Sequence, residues 1–496
     1  MANFIVAIEL GSSKITGIAG RKKEDGSLDV MAVVTEDAAA CIQRGNVYNI
    51  GKSATCISNI IDKLRSTLKA DITKVFVGIG GKSIHSVQNV IDRDLPQGTM
   101  ITEEIIDRIN DQNHAEVYPN HMILDDITQE YKVDTQYQLD PVGISCSHLE
   151  GNFLNILYHK SYYSNLNKCF EQAGVRIDEI FLAPRALAAC VLTENERRNG
   201  CILVDMGAAT TKLLIYDKNI LRSLIVLPLG GNNITKDIAS LGMDEKEAER
   251  MKKKYGAAYT DPDRIDYTHT LKYPVDQKRD VESSKFIEIV EARVDEIIKN
   301  VWIKVPAKYQ NCPLILTGGA ANMPNMEEAF RRITNIDKIR IAKNTNLKIN
   351  SNIDIINNSN GIMNTAIGLL AYTKVGANCA GMELPDENQT AEPVSNSGAA
   401  AQTGSGVSSH AVGSSNTNIG SSAVSTSEEE RKKAEEERKR AEQERKKREE
   451  EEKEKEEEEL QKIKEEEEKN RKKKKRWNRF KEKIKNWGTQ IISEED

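Results

Sequence analysis

Short runs of apolar residues alternate with longer amphipathic stretches over roughly the first 380 residues. Runs rich in Val, Ile and Leu that end at glycine or other small residues predict β-strands, and apolar residues spaced three and four apart predict helices. The predicted strands are 4–10, 15–19, 74–79, 201–206, 211–216, 221–227 and 314–316, and the main predicted helices are 57–68 and 286–301. This mixture indicates an α/β protein of two or three domains.

One pattern of strand, small-residue turn and strand occurs twice, about 200 residues apart. The first turn is Gly-Ser-Ser-Lys at 11–14, and the second is Gly-Ala-Ala-Thr at 207–210. A third strand follows the second copy and ends at the glycine pair 230–231. The repetition predicts two related halves.

Beyond residue 380 the pattern of core positions stops. Residues 381–427 are rich in Ser, Gly, Ala, Asn and Thr and predict a flexible, disordered linker that buries no core. Residues 428–470 alternate blocks of Glu with blocks of Lys and Arg. They are either a solvated single helix of about 65 Å at 1.5 Å per residue or a disordered polyampholyte. Few apolar residues are available for a seam, so a coiled coil is disfavoured.

The last 26 residues combine an apolar stripe with dense positive charge. The stripe, at helical spacing, consists of Trp477, Phe480, Ile484, Trp487 and Ile491, with Arg479 and Lys483 on other faces. Residues 471–487 carry ten Lys or Arg against one Glu. An anionic membrane surface can bury the apolar face of such a helix and attract its basic face, and each cation then contributes about 1 kcal/mol to membrane binding. Alternatives are docking on a protein partner or nonspecific nucleic-acid binding, although the latter needs no apolar stripe.

Composition narrows the function classes. The formal net charge is −6, so outside 471–487 the chain is acidic. The eight cysteines form no CxxC pair, which favours free thiols in a reducing compartment and disfavours a zinc site. The start of the chain does not resemble a signal peptide, and no apolar run is long enough to span a bilayer. A cytoplasmic protein, peripheral to the membrane, is therefore predicted.

Each repeated hairpin has an acidic residue at the end of its first strand, Glu9 and Asp205. Turns of small residues let backbone N–H groups approach phosphate oxygens. An acid beside phosphates requires an intervening cation, which predicts Mg²⁺ held largely through water by these two carboxylates. One such turn is common, but two, with a third glycine-rich turn at Gly318-Gly319, favour nucleotide binding.

These motifs resemble those of the actin/Hsp70/sugar-kinase superfamily. The two hairpins are similar to its phosphate motifs, 316–324 to its adenosine motif and 361–370 to its second connecting helix. Within the superfamily the chain most closely resembles the FtsA family of actin-like bacterial cell-division proteins. The carrying segments are 44–50, 77–84, 129–131 to 141–143, 192–197 and 229–238, and the resemblance covers about 1–375 plus the C-terminal amphipathic helix.

The resemblance implies an actin-like ATPase fold of two halves around a nucleotide cleft, with ATP and Mg²⁺ as cofactors. The implied nucleotide-binding residues are Gly11, Ser12, Ser13, Lys14, Gly207, Ala208, Thr210, Thr211, Gly230, Glu249, Lys252, Gly318, Gly319 and Ala320. The implied first half consists of 1–83 plus 161–190, with an inserted FtsA-type subdomain of 84–160. The implied second half consists of 191–230 plus 311–375, with a small subdomain of 231–310. The linker 381–427, the charged spacer 428–470 and the membrane helix 471–496 follow.

The function that the resemblance implies is a filament-forming scaffold. It would polymerise on the cytoplasmic face of the inner membrane at the division septum, bind the C-terminal tail of the tubulin-like protein FtsZ and recruit later divisome proteins. Its partners would be FtsZ, other copies of itself, anionic lipids and other divisome proteins, but no nucleic acid. Alternatives are a pilus platform protein similar to PilM, which needs no amphipathic tail, and a small-molecule kinase of the superfamily.

Three departures from the family pattern affect the expected chemistry. Ala208 and Ala209 stand where glycines are usual, Glu9 replaces a common Asp, and Lys212 stands where many relatives place an acid. A lysine at 212 could pair with phosphate directly or disturb metal coordination. The expected activity is at most a weak ATPase, with no assignable general base, in which the nucleotide acts as an assembly switch.

Overall fold

The computed structural model describes residues 3–265 and 271–383. The linker, the charged spacer and the membrane helix predicted for the C-terminal part lie outside the described residues, except for the first residues of the linker.

The strands are β1 (Ile5–Leu10), β2 (Lys14–Lys22), β3 (Leu28–Asp37), β4 (Ile42–Gln43), β5 (Asn46–Val47), β6 (Ala70–Ile72), β7 (Lys74–Ile79), β8 (His85–Met100), β9 (His121–Val133), β10 (Gln136–Gln138), β11 (Ser145–His159), β12 (Arg176–Leu182), β13 (Cys201–Met206), β14 (Thr211–Asp217), β15 (Ile220–Leu227), β16 (Lys272–Pro274), β17 (Asp280–Glu282), β18 (Leu314–Thr317), β19 (Ile339–Ile341), β20 (Ile349–Asn350) and β21 (Ala380–Glu383). The helices are α1 (Ile50–Leu68), α2 (Glu103–His114), α3 (Lys160–Gln172), α4 (Ala183–Val191), α5 (Glu194–Asn199), α6 (Gly231–Ala239), α7 (Glu245–Tyr255), α8 (Ser283–Trp302), α9 (Met326–Thr334), α10 (Asp354–Asn357) and α11 (Asn364–Tyr372).

Two sheets share the same order over five strands and form the two halves, and the first sheet has one further edge strand, β20. The first sheet runs β12-β7-β1-β2-β3-β20, and the second runs β15-β14-β13-β18-β19. In both, a three-stranded antiparallel meander is extended by two parallel strands on the side of its first strand. β1 and β13 are therefore the central strands, almost completely buried, which explains their continuous apolar runs. The predicted related halves and α/β fold are confirmed.

A third sheet is inserted after the first half's strand β7. It is antiparallel, with the order β10-β9-β11-β8, and carries helix α2. Its small core contains Ile91, Ile109, Leu149 and Phe153. A single layer of helix on one sheet face buries little surface, and the edge strand β8 accordingly has only one buried position, whereas the central strand β11 is continuously buried over Phe153–Tyr158.

The inserted sheet also contacts the second half through polar groups. The Ser86 hydroxyl donates to the carbonyl of Leu224 at 2.9 Å, and the Gln129 amide donates to the carbonyl of Leu221 at 3.0 Å. Both acceptors lie on β15, the edge strand of the second sheet. These hydrogen bonds occupy backbone groups that an edge strand would otherwise leave open to pairing.

Two helices pack against each other beside both sheets. α4 follows β12, an edge strand of the first sheet, and α11 follows the second half in the chain. They approach so closely that a Cβ built on Gly368 would lie 2.7 Å from the carbonyl oxygen of Ala186. Only a glycine permits this backbone contact, and it brings the two connecting helices together between the halves.

The body extends slightly past its predicted end. Residues 381–383, assigned to the linker from their composition, belong to β21, which pairs with β6. Cys379 is buried just before this strand, and its N–H donates to the carbonyl of Phe4 at 2.8 Å. A strand of four residues with no apolar alternation gives no sequence signal, because its pairing partner determines its conformation.

The described body contains free thiols and no transmembrane helix. All eight cysteines are unpaired, and six of them are buried. Burial raises the pKa of Cys190 to about 12 and that of Cys169 to about 12, so these thiols remain protonated and unreactive. Over residues 3–265 and 271–383, every helix is too short or too polar to cross a bilayer.

Candidate functional site

A cleft of about 460 Å³ lies between the two sheets. Its size is within the range of small-molecule sites in proteins, roughly 300–1,000 Å³. The ends of β1 and β13 and the turns that follow them face this cleft from opposite sides. The predicted residues that line it are Glu9, Gly11, Ser12, Ser13, Lys14, Asp205, Gly207, Ala208, Thr210, Glu249, Lys252, Gly318, Gly319 and Ala320.

The first two turns have the same backbone geometry. The N–H of Gly11 donates to the carbonyl of Lys14 at 3.1 Å, and the N–H of Gly207 donates to the carbonyl of Thr210 at 2.9 Å. A Cβ at either glycine would lie under 3 Å from that carbonyl oxygen. Each turn therefore requires a glycine at its first position, which is the physical reason for the repeated acid-x-Gly pattern.

The third turn closes one end of the cleft. Gly318 has a φ of +90°, a conformation that residues with a side chain rarely adopt. A Cβ there would lie 2.5 Å from both the Asp205 carboxylate and the carbonyl oxygen of Met206. The chain then forms a short 3₁₀ turn over Gly319–Asn322. Gly318 thus allows the third turn to pack directly on the end of β13.

Helix α7 forms another wall of the cleft through a compact polar cluster. Lys252 Nζ lies 2.5 Å from Glu249, 2.8 Å from the Thr235 hydroxyl and 3.0 Å from the carbonyl of Gly231. Burial lowers the pKa of Lys252 against the opposing effect of Glu249. Although burial works to raise it, hydrogen bonds from Lys252 and Thr235 hold the pKa of Glu249 below its usual range. The cluster fixes α7 on the first turn of α6.

An ion pair occupies the floor of the cleft. Lys212 Nζ donates to Asp205 Oδ2 at 2.8 Å, and the two side chains are only 16% and 7% exposed. Burial works to lower the pKa of Lys212, but the charge of Asp205, the hydrogen bond to it and the charge of Glu9 outweigh burial and raise that pKa. Lys212 is therefore a buried, charged ammonium.

The first half supplies a second acid and a second lysine. Burial raises the pKa of Glu9 despite the opposing charges of Lys14 and Lys212, and the charge of Asp205 adds to the rise. Burial lowers the pKa of Lys14, which the charge of Glu9 partly offsets. These two groups interact with each other and with the Asp205–Lys212 pair, so the floor of the cleft is one electrostatic unit.

The donor set fits the expected Mg²⁺ site only in part. Glu9 faces the cleft and could accept hydrogen bonds from water around a cation. Asp205, however, accepts a hydrogen bond from Lys212, whose positive charge would repel a divalent cation beside the same carboxylate. Among the residues with described positions, no group of three His, Cys, Asp or Glu side chains could hold a metal ion.

Two predicted residues do not line the cleft. The Thr211 hydroxyl is buried and donates to the carbonyl of Leu229 at 2.8 Å. Gly230 supports the second turn instead, because a Cβ there would lie 2.6 Å from the carbonyl of Ala208. Both residues thus contact other parts of the second hairpin and its neighbouring turn, and neither faces the cleft.

Sequence reasoning missed several residues that line the cleft. They include Gly45, Gly80, Gly231, Asn232, Lys253, Asn322 and Thr365, together with Lys212, which was recognised only as a departure from the family pattern. Lys212 could have been found from the hairpin itself. A four-residue turn between the strands places Asp205 directly opposite Lys212, as the observed register shows.

Family models match two parts of the chain. Residues 202–368 match the model described as cell division protein FtsA, and residues 81–157 match the model of the SHS2 domain inserted in FtsA. The second match coincides with the inserted sheet formed by β8 to β11.

Curated relatives match most of the chain. A cell division protein FtsA from Porphyromonas gingivalis is 30% identical over 341 residues, which cover 67% of this chain and 71% of that protein. The chain belongs to the FtsA family. The FtsA protein of Escherichia coli K12 is 26% identical over 387 residues, covering 75% of this chain and 90% of the relative.

A solved structure supports the fold that FtsA membership implies. The chain superimposes on a protein of the PilM–PilN type IV pilus biogenesis complex with a TM-score of 0.52, covering 74% of this chain and 97% of that one, at 13% sequence identity. This likeness shows a shared fold alone. The PilM-like alternative therefore gains no functional support, whereas membership of the FtsA family is supported by sequence.

Proposed function

We propose that this chain binds ATP in the cleft, polymerises on the cytoplasmic face of the cell membrane at the division septum, anchors FtsZ there and recruits later divisome proteins. The observation that carries the proposal is the pair of equivalent turns, 11–14 and 207–210, facing each other across one cleft. A triphosphate between them would contact both halves at once. Family membership supplies the cell-division context.

The charges around the cleft suit a polyphosphate. Four lysines and three acids line it, and each phosphate-motif hairpin contributes one lysine, Lys14 or Lys212. Lysine is a compact point charge that commonly binds phosphate. Glu249 and Lys252 of α7, with the third turn beginning at Gly318, would enclose the nucleoside end of the ligand.

A nucleotide bound to both hairpins would act as an assembly switch. The backbones of the connecting helices α4 and α11 are in contact at Gly368, and we assign the hinge between the halves to this contact. Phosphates attracted to Lys14 and to Lys212 would hold the halves together, and release would let them separate. We assign at most slow hydrolysis, because Asp205, the acid of the second hairpin, already accepts a hydrogen bond from Lys212 and is not free to act as a base.

Two surfaces would serve the partners. The inserted sheet exposes Tyr137 on β10, Leu139 and Val142 between β10 and β11, and Met100 at the end of β8. We assign this exposed apolar patch to contact with the next subunit in a filament. The small subdomain of 231–310, built from α6, α7, the β16–β17 hairpin and α8, is the proposed binding site for the C-terminal tail of FtsZ.

Substituting Lys14 tests nucleotide binding directly. Lys14→Met removes a charge at the first turn while keeping most of the side-chain volume, so the affinity for ATP should fall at least about tenfold, or about 1.4 kcal/mol. The measurement is fluorescence titration of a labelled ATP analogue. Lys23→Met is the matched control, because Lys23 pairs with Asp29 on the surface of the same half, away from the cleft. Equal affinities for wild type and Lys14→Met would contradict the proposed site.

Cosedimentation with anionic vesicles tests the membrane anchor. The full-length chain should pellet with vesicles that contain phosphatidylglycerol, more so with ATP, because polymerisation multiplies weak single-helix contacts. A 1–470 truncation and the full-length double variant Trp477→Ala, Trp487→Ala should both remain in the supernatant. Pelleting of all three proteins to the same extent would show that another surface binds the membrane.

A further inference from the structure

The ion pair between Lys212 and Asp205 is built into the backbone of the second hairpin. These residues are direct partners in the antiparallel register of β13 and β14. Directly opposed residues project from the same face of a sheet with their Cβ atoms about 5 Å apart. The hairpin register therefore places the two side chains within reach of each other, and the ammonium donates to the carboxylate at 2.8 Å.

The ammonium also reaches across the cleft. A Cβ at Gly207 would lie 3.8 Å from Lys212 Nζ, which places the charge beside the first residue of the second turn. A Cβ at Gly80, at the end of β7 in the first half, would lie 3.3 Å from Lys212 Cε. Lys212 is thus a buried cation between the phosphate turn of one half and the first sheet of the other.

Charge around this position is already balanced. Lys212 interacts with both acids of the cleft floor, Asp205 through a hydrogen bond and Glu9 through its charge. Lys14 provides the second positive charge on the floor. Two acids alone would leave a net negative charge that a divalent cation could neutralise. Two acids with two lysines leave no net negative charge.

We propose that the Lys212 ammonium takes the place of a divalent cation in this cleft, contacts the phosphate oxygens itself and makes nucleotide binding largely independent of Mg²⁺. The inference rests on the proposed nucleotide site and defines its ligand more closely: the polyphosphate is recognised as a free anion. Lys212 is a binding residue that acts together with Lys14 from the opposite turn.

The test is the affinity of the full-length chain for labelled ATP, measured in excess Mg²⁺ and in excess EDTA. For wild type the two dissociation constants should agree within about threefold. For Lys212→Met the dissociation constant in EDTA should rise at least about tenfold, and Mg²⁺ should restore much of the loss, because Asp205 is then free to accept a hydrated cation. The readout is binding, so the result does not depend on hydrolysis.

Two further variants keep the experiment decisive. Removing Lys212 alone leaves a buried carboxylate without its partner and can destabilise the fold, so Asp205→Asn, Lys212→Met removes both charges together. This double variant should bind as weakly as Lys212→Met in EDTA, with less rescue by Mg²⁺. Lys74→Met removes a lysine that is 2.9 Å from Asp178 outside the cleft, and should behave as wild type.

The possible failures are distinguishable. A wild-type affinity that falls more than about tenfold on addition of EDTA would overturn the proposal, since the ammonium would not be replacing the metal. So would a double variant that binds ATP in EDTA as tightly as wild type. If wild type binds no nucleotide under either condition, the proposed nucleotide site itself fails.

Discussion

Replacing Gly318 with alanine should lower the thermal midpoint of the chain by roughly 3–6 °C and remove most of its affinity for ATP. The φ of +90° is strained for any residue with a Cβ, and the new methyl would lie 2.5 Å from the Asp205 carboxylate. The third turn must then move away from β13 and from the ion pair on the floor of the cleft. Differential scanning calorimetry and titration with a labelled ATP analogue measure the two effects.

The neighbouring glycine provides a matched control. A Cβ at Gly319 would have no other atom within 4 Å, and its φ is not in the left-handed region. Gly319→Ala should therefore leave the thermal midpoint unchanged within about 1 °C. If Gly318→Ala and Gly319→Ala behave alike, the close packing of the third turn on β13 does not stabilise the cleft.

Replacing Glu130 with alanine should lower the free energy of unfolding by about 1–3 kcal/mol at pH 7. Glu130, on β9 of the inserted sheet, accepts hydrogen bonds from Lys218 at 2.9 Å and from Arg222 at 3.2 Å in the second half. Arg222 is only 11% exposed and would lose its anionic partner. Denaturant unfolding followed by tryptophan fluorescence and circular dichroism measures the change.

The effect should depend on pH in a defined direction. Although burial works to raise it, the hydrogen bond from Lys218 and the charge of Arg222 hold the pKa of Glu130 below its ordinary value of 4.5. A carboxyl with a depressed pKa contributes its stability above pH 4.5 and loses it as the pH falls through the lower folded-state value. The difference between wild type and Glu130→Ala should therefore be full at pH 7 and shrink below pH 4.5.

A second ion pair, which lies within the inserted sheet, serves as a control that distinguishes loss of contact with the second half from loss of stability in the inserted sheet itself. Glu150 pairs with Lys132 at 3.3 Å within that sheet and makes no bridge to the second half. Glu150→Ala should leave hydrogen exchange in β15 unchanged, whereas Glu130→Ala should accelerate it. Equal exchange in the two variants would argue against a polar connection between the inserted sheet and β15.

Patterns with a local physical cause allowed most of the body to be predicted from sequence. The buried strands β7 and β13 were predicted at their observed bounds because continuous apolar runs end there at glycine or at a polar turn. Both turns with their acids, Glu9 and Asp205, lie at the cleft as predicted, since the register of each hairpin is local. The family resemblance supplied the pairing of the halves, which no local pattern shows.

Features that depend on distant parts of the chain were not predicted. Gly45 and Gly80 line the cleft because two loops of the first half meet there, and a Cβ at Gly45 would lie 2.6 Å from the Cα of Gly81. Thr211 was expected to bind nucleotide from its place in the motif, but alternation along β14 turns its side chain to the carbonyl of Leu229. The residue type alone does not show which face of a sheet other parts of the chain will cover, so it does not show whether a side chain reaches the cleft.

Strand β21 determines where mechanical load enters the molecule. Residues 384–496 follow directly from Glu383, which pairs with Ala70 of β6, and Cys379 is hydrogen-bonded to Phe4 at the start of β1. A pulling force applied to the C-terminal region would thus act on the first half of the body, close to the beginning of the chain. A bulky group attached at Asn3 would crowd the β6–β21 pair from which the C-terminal region continues.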